Sequence, residues 1–176
     1  MIQRDNQPWS AAATASIDWQ DDGAPLSRNF GDIYYARGQG RAESDYTFIE
    51  GNRLAERLAE PTQPLFTVGE TGFGTGLNFL LTWDTWRRAP EGKPQLHYLS
   101  IERFPMTDDD LRQALDAWPE LSDLATQLTE AWPVPLRGQH RLVFEQGRVV
   151  LDLWFEDAGE ALADLAEQER PLVDAW

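Results

Sequence analysis

Short apolar runs alternate with amphipathic segments along most of this chain, and that alternation predicts its elements. Residues 64–68 form an apolar, β-branched run that is too short for a helix, which favours a buried strand. From Leu77 onward, apolar residues recur at i, i+3 and i+4, and we expect a helix that runs to about Arg88. Residues 53–60 have the same helical spacing and predict a shorter helix before the first strand.

The same pattern continues towards the end of the chain. Residues 96–102 predict a second strand that ends in an acid, and Thr107 with the three aspartates after it suits a helix start. Residues 141–157 alternate in two pieces around a central Gln-Gly, which predicts a hairpin whose second arm is a third sheet strand. A helix over 158–168 and the start of a fourth strand at 172–176 complete the order. Strands that alternate with helices predict an α/β fold with a mainly parallel sheet.

Residues 1–60 predict an N-terminal segment, irregular or partly extended at first, that packs on a core domain formed by residues 61–176. Within it, residues 32–52 contain two aromatic-rich pieces on either side of the Gly-rich turn 38–40, which favours a short hairpin. Its three tyrosines are interpreted as packing residues rather than ligand contacts: Tyr34, Tyr35 and Tyr46.

Composition narrows the classes of function. The 176 residues are 41% hydrophobic, which suits one globular domain, and we expect a monomer. The absence of cysteine excludes disulfides and thiolate sites, and two histidines are too few for a histidine-rich metal site, so we expect no metal. No apolar run reaches the roughly 18 residues of a membrane span and no signal segment opens the chain, so we expect a cytoplasmic protein.

The net charge of −15 counts against nucleic-acid binding unless the few cations cluster on one face. For the charge as such, we favour acids on solvated helix faces that maintain solubility.

The strand at 64–68 runs into a glycine at every second position, in the pattern E-x-G-x-G-x-G that begins at Glu70. In an α/β sheet, the turn after the first strand is a usual ligand site, and glycines there let a ligand approach the backbone closely. The loop is not a P-loop, because it has neither the Lys nor the Ser/Thr that phosphate and magnesium need. It is not G-x-G-x-x-G either, because the third position is Leu77, so a nucleoside fits better than a dinucleotide.

Three predicted strands each end near an acid, and the three acids suit different parts of one ligand. Glu70 would repel a pyrophosphate but could pair with a ligand ammonium. Glu102 could accept hydrogen bonds from both ribose hydroxyls, and Asp157 could accept one from the adenine amino group. S-adenosylmethionine carries an ammonium and a sulfonium and has no phosphate, so we predict that it is the ligand.

Each acid also has an alternative interpretation that involves no ligand. Glu70 could cap the following helix, and Glu102 could pair with Arg103 or Arg112. For these two acids, the alignment of strand end, acid and glycine loop favours ligand binding. Asp157 is also a good N-cap for the helix that begins at 158, and capping and ligand contact are compatible there.

Longer stretches resemble one family specifically. The chain is similar to the amino-terminal methyltransferase domain of the bacterial bifunctional protein that makes 5-methylaminomethyl-2-thiouridine in tRNA. The similarity covers residues 28–54 and continues through GETGFGTGLNFL, SIERFPMT, AWPELSDLATQL, WPVPLRGQHRL, GRVVLDLWFEDA and VDAW. It includes the non-catalytic signatures at 118–121 and 151–155, which generic methyltransferases lack.

The resemblance implies a Rossmann-like class I methyltransferase fold that transfers a methyl group from S-adenosylmethionine to the aminomethyl nitrogen of a wobble uridine in tRNA. It also implies a separate C-terminal FAD domain, an oxidase that first removes a carboxymethyl group. Arg103 stands where many relatives have Lys and keeps the charge. The cofactor-binding residues implied by the family are Glu70, Gly72, Gly74, Asn78, Glu102 and Asp157.

The family domain continues beyond the segment that resembles VDAW, into a loop of the type F-x-D-G-F-x-P-x-x-N-P that presents an acid to the target amine. By this resemblance, we expect the fold to be incomplete from the start of strand 4, the catalytic acid to lie beyond Trp176 and residues 1–176 to be inactive alone. We therefore name no catalytic residue.

Three alternative functions remain open at this stage. The first is a methyltransferase that acts on a small-molecule amine, which the acidic charge would suit. The second is an NAD-dependent oxidoreductase, and the third is a non-enzymatic module that only retains the fold.

Overall fold

The structure is a computed structural model that describes residues 10–36, 38–166 and 173–176. It begins with a small antiparallel sheet of three strands in the order β1-β2-β3. These strands are β1 (Ile17–Trp19), β2 (Pro25–Ser27) and β3 (Asp32–Ile33). Helix α1 (Gly40–Ser44), a π-helical segment (Asp45–Glu50) and helix α2 (Leu54–Ala59) follow.

The hairpin predicted for residues 32–52 is wrong, because the chain becomes helical at Gly40. A Cβ at Gly40 would lie 2.7 Å from the Cβ of Tyr35, so this glycine allows a close contact rather than a hairpin turn. Tyr35 is buried, donates a hydrogen bond from its hydroxyl to the carbonyl of Ala114 (2.8 Å) and packs edge-on against Trp118. Tertiary packing thus replaces the local pairing that the aromatic residues indicated.

A four-stranded sheet forms the centre of the domain in the order β4-β5-β7-β6. Strands β4, β5 and β7 are parallel, and β6 pairs antiparallel with β7. The strands are β4 (Leu65–Thr71), β5 (Gln95–Ile101), β6 (Gly138–Phe144) and β7 (Val149–Phe155). The helices are α3 (Leu77–Arg88), α4 (Asp108–Leu115), α5 (Ser122–Glu130) and α6 (Ala158–Ala166).

The predicted α/β order is confirmed, and the predicted helix after the glycine loop coincides with α3. Thr107 caps α4 by accepting a hydrogen bond from the N–H of Asp110 (3.1 Å). The predicted helix 158–168 is seen as α6, and its last two residues lie outside the described part of the chain. Helix α5 was not predicted.

The start of the predicted fourth strand, residue 172, also lies outside the described residues. Beyond it, Ala175 forms a parallel bridge with Val68 of β4, and its carbonyl accepts from the N–H of Gly69 (2.8 Å). A Cβ at Gly69 would lie 2.9 Å from the ring of Trp176, so glycine at this position admits the last residues beside β4.

The two faces of the sheet are covered differently. One face packs against α3, α4 and α5 and buries an aromatic cluster that includes Phe79, Trp83 and Tyr98. The other face packs Leu99 and Ile101 against α6. Among the described residues, no helix has the length and apolar character needed to cross a lipid bilayer.

A buried carboxylate joins three strands on the α6 side of the sheet. Asp152 of β7, only 2% exposed, accepts two hydrogen bonds from Arg141 of β6 (2.8 and 2.7 Å) and lies 2.8 Å from Nε2 of His97 in β5. Burial opposes ionisation of this carboxyl, but the hydrogen bonds from Arg141 and His97 outweigh it, so the pKa of Asp152 lies well below its ordinary value.

We expect Asp152→Asn to lower the free energy of unfolding by about 2–3 kcal/mol at neutral pH, because it removes a charge that three hydrogen bonds satisfy. The contribution of a group with a depressed folded-state pKa is present in full above about pH 4 and declines at more acidic pH. Urea denaturation across this range should therefore show the wild type and the variant converging in acid. Asp21→Asn, in an exposed turn, is the control and should change little. Equal stability of wild type and Asp152→Asn at pH 7 would contradict the prediction.

Candidate cofactor-binding site

The glycine loop connects β4 to α3 at the edge where the parallel strands end. The N–H of Gly72 donates to the carbonyl of Ile101 at the end of β5 (2.7 Å), which fixes the start of the loop against that strand. Because β5 lies between β4 and β7, the ends of all three strands open onto this edge. Glu70 lies in β4, Glu102 follows β5 and Asp157 follows β7, so the three predicted acids lie along one side of the molecule.

Glycine suits different positions of the loop for different physical reasons. Gly72 and Gly76 both have positive φ angles (84° and 74°), a conformation that other residues rarely adopt. A Cβ at Gly76 would lie 2.8 Å from the ring of Phe73, so this position is closed by packing. A Cβ at Gly72 would meet nothing within 4 Å, which leaves open space where a ligand can approach the backbone.

Glu70 is 7% exposed and lies beneath the loop. Its carboxylate accepts hydrogen bonds from Nδ2 of Asn78 and from Oγ of Ser100, both at 2.9 Å. Burial raises the pKa of Glu70 from 4.5 to about 7, and these hydrogen bonds offset only part of that cost. The helix-capping alternative is wrong, because the N-cap of α3 is Gly76 and no side chain caps it.

Asn78 leaves one buried polar atom without a partner. Its Nδ2 donates to Glu70, but its Oδ1 has no hydrogen-bond donor among the described residues. A buried acceptor without a donor is costly, and a ligand or a water molecule normally supplies the missing bond. The orphaned oxygen of Asn78 and the carboxylate of Glu70 together form an environment that suits a cationic donor such as an ammonium group.

Glu102 is tied directly to the glycine loop. One carboxylate oxygen accepts from the N–H of Gly74 (2.9 Å) and the other from the N–H of Phe104 (2.7 Å). Burial raises the pKa of Glu102, and these backbone bonds partly offset the effect. Each carboxylate oxygen keeps a second lone pair that can accept a ligand hydroxyl.

The predicted alternative partners of Glu102 bind elsewhere. Arg103 lies 3.3 Å from Asp157, and Arg112 pairs with Asp108 (2.9 Å). The alternative in which Glu102 forms an ion pair with either arginine is therefore wrong.

Asp157 has the structural role that its position before α6 suggested. Its Oδ1 accepts from the N–H of Gly159 (2.9 Å) in the first turn of the helix, which confirms the capping interpretation. Its side chain is 43% exposed, so its second oxygen, beside Arg103, stays accessible to a ligand.

Two residues near the site were not predicted to belong to it. Ser100 completes the network of Glu70, and its signal was a lone hydroxyl near the end of an apolar strand. Tyr34, interpreted as a packing residue, lies against Gly74, a contact across 40 residues that no local pattern indicates.

Comparisons with known proteins show which family and which fold the chain resembles. Residues 119–176 match a family model described as S-adenosyl-L-methionine-dependent methyltransferase. The chain is 46% identical over 165 residues to the tRNA 5-methylaminomethyl-2-thiouridine biosynthesis bifunctional protein MnmC of Aeromonas hydrophila, a match covering 92% of this chain and 25% of that protein. Its fold is similar to the crystal structure of MNMC2 from Aquifex aeolicus, with a TM-score of 0.62 and 20% identity over 92% of this chain and 48% of that one.

These matches confirm the family resemblance found in the sequence and the Rossmann-like fold. The chain spans about a quarter of the length of the curated relative and about half of the solved chain.

The ligand-free chain should lose stability as Glu70 ionises. A group whose folded-state pKa is raised contributes stability that is present below its unfolded pKa, about 4.5, and is lost as the pH rises through about 7. Glu70→Gln has no carboxyl to ionise at this position and should not show this loss. We expect its free energy of unfolding to rise relative to that of wild type by up to about 3 kcal/mol as the pH increases from about 5 to 8. Glu91→Gln, at an exposed turn, is the control and should follow the wild type. A constant difference between wild type and Glu70→Gln over this range would refute the assignment.

Proposed function

We propose that the chain is an S-adenosyl-L-methionine-dependent methyltransferase and that its glycine loop binds S-adenosylmethionine. The match of residues 119–176 to that family model and the 46% identity to part of MnmC support the proposal. The methyl acceptor in this proposal is 5-aminomethyl-2-thiouridine at the wobble position of a tRNA, and the product is 5-methylaminomethyl-2-thiouridine. The relative's name supports this substrate, because it describes the biosynthesis of that nucleoside. The protein would act in the cytoplasm as a monomer, and FAD would belong to a separate domain that uncovers the amine.

The observation that carries the proposal is the bond between Glu102 and the loop. The N–H of Gly74 donates to one oxygen of Glu102, so an acid suited to ribose hydroxyls lies within hydrogen-bond distance of the bare backbone at Gly72–Gly74. A nucleoside fits this arrangement. A pyrophosphate would need a cation at the loop, and in the described part of the chain no hydrogen bond or ion pair joins a lysine or arginine to the loop.

The remaining site residues fit the other parts of the cofactor. Glu70 and the orphaned oxygen of Asn78 would attract its ammonium group, and the exposed oxygen of Asp157 would accept from the adenine amino group. When bound, S-adenosylmethionine supplies an activated methyl group on a sulfonium. The residues of this chain bind and orient the donor by fixed hydrogen-bond acceptors, so that an incoming amine can meet the methyl in line.

An amine of ordinary basicity is mostly protonated at neutral pH, so a nearby acceptor must take its proton before it can attack. We assign that role to none of the described residues: the Glu102 oxygens hold backbone N–H groups, and Glu70 lies beneath the loop. The three alternatives use the same fold, namely methylation of a small amine, hydride transfer with NAD and a non-enzymatic module.

Calorimetric titration with S-adenosylmethionine tests the cofactor assignment. We expect Glu102→Ala to bind at least about tenfold more weakly than wild type, because two charge-assisted hydrogen bonds to the ribose are lost. Glu91→Ala, which changes an exposed carboxylate, should bind as wild type does. Glu102→Gln keeps the shape and separates the loss of acceptors from a disturbed loop. Equal affinities of wild type and both Glu102 variants, or a melting temperature raised by NAD and not by S-adenosylmethionine, would overturn the assignment.

The substrate is tested by transfer of a labelled methyl group. tRNA that bears the aminomethyl group should accept the label, whereas the same tRNA without it and small primary amines should not. The assay needs the protein in the length in which it occurs in the cell. Labelling of small amines in preference to tRNA would favour the first alternative.

A further inference from the structure

The small N-terminal sheet reaches the glycine loop through Tyr34. This residue directly follows β3, and its N–H donates to the carbonyl of Pro25 (2.9 Å), so it continues the sheet by one position. Its ring carbons Cδ1 and Cε1 lie 3.2 and 3.5 Å from the point where a Cβ at Gly74 would stand. The ring therefore covers the loop at the residue whose N–H binds Glu102.

The orientation of Tyr34 is fixed by its other contacts. Its hydroxyl interacts with the side chain of Ser27, which is 4% exposed. The Ser27 hydroxyl also accepts from the N–H of Phe30 (3.3 Å), and the Ser27 carbonyl accepts from the N–H of Gly31 (2.8 Å). The hydroxyl thus points into the N-terminal sheet, and the edge of the ring that carries Cδ1 and Cε1 lies beside Gly74.

A second aromatic contact links the N-terminal segment to another residue that binds Glu102. Phe30, 67% exposed, packs edge-on against Phe104 with 5.8 Å between ring centroids. The N–H of Phe104 donates to the Glu102 oxygen that does not bind Gly74. The N-terminal segment therefore lies beside both residues whose N–H groups bind Glu102, with Tyr34 next to Gly74 and Phe30 against Phe104.

We propose that Tyr34 is a cofactor-binding residue whose ring packs against the ribose of the adenosyl group. A ribose that donates to Glu102 would lie near Gly74, whose N–H binds the same carboxylate, and two ring carbons of Tyr34 lie 3.2 and 3.5 Å from the Cβ position of that glycine. Tyr34 is half-buried, and a ligand there would remove more of its apolar surface from water. This inference rests on the proposed binding of S-adenosylmethionine.

Titration calorimetry with two ligands tests the contact. S-adenosylmethionine and 5′-methylthioadenosine share the adenosyl group, but only the first carries the amino-acid end and the sulfonium. We expect Tyr34→Ala to weaken both ligands by the same factor, about tenfold, because only the shared group is touched. Tyr34→Phe keeps the ring and should stay within about twofold of wild type. Tyr46→Ala removes another tyrosine of the N-terminal segment, 73% exposed and outside the site, and should change nothing.

Tyr34→Leu covers the case in which the alanine variant fails to fold, because leucine keeps apolar bulk against the loop without a flat ring. It should fold with a melting temperature near that of wild type and still bind both ligands several-fold more weakly. Wild-type affinity in a folded Tyr34→Ala or Tyr34→Leu would overturn the inference alone, as would a loss confined to S-adenosylmethionine. Failure of the unaltered chain to bind either ligand would overturn the proposed function and this inference together.

Discussion

The hydrogen bond between the carboxylate of Glu102 and the N–H of Gly74 holds together the two chain segments that form this site. It connects the end of β5 to the loop that leaves β4, and a second bond to the N–H of Phe104 fixes the chain where it turns towards α4. The backbone N–H of Gly74 makes this bond, and the absence of a side chain at Gly74 admits the ring of Tyr34 beside it. The Glu102 carboxylate thus fixes the loop backbone that a ligand would meet, and the segment that carries Tyr34 lies beside that backbone.

This arrangement costs stability in the ligand-free chain. Glu70 and Glu102 are both buried at the same edge, and burial raises the pKa of each carboxyl by more than its neutral hydrogen-bond donors lower it. Asp152 shows the opposite case, in which an arginine and a histidine satisfy an equally buried carboxyl and hold its pKa down. This difference indicates a ligand site. Asp152 in the sheet is paired with cationic side chains, whereas the acids at the loop are acceptors without a cation.

Local patterns predicted the elements that carry the site. The apolar run before the glycines, the spacing from Leu77 and the acid that follows β5 depend on neighbours in sequence, and all three appear where expected. The helix at Gly40 and the contact between Tyr34 and Gly74 were missed, because packing across 40 or more residues determines them. The capping role of Asp157 was predicted, because an acid directly before a helix can be recognised from neighbouring residues alone.

The acidity of the site also separates substrate from product in the proposed reaction. S-adenosylmethionine carries one more positive charge than S-adenosylhomocysteine, because the sulfonium becomes a neutral thioether when the methyl leaves. Carboxylates beneath the loop at Glu70 and Glu102 attract the donor more strongly than the product, which keeps the ammonium but not the sulfonium, and the low polarity of their surroundings strengthens the difference. In the proposed reaction, the same negative field would repel the phosphates of a tRNA, so the base rather than the backbone would approach this edge.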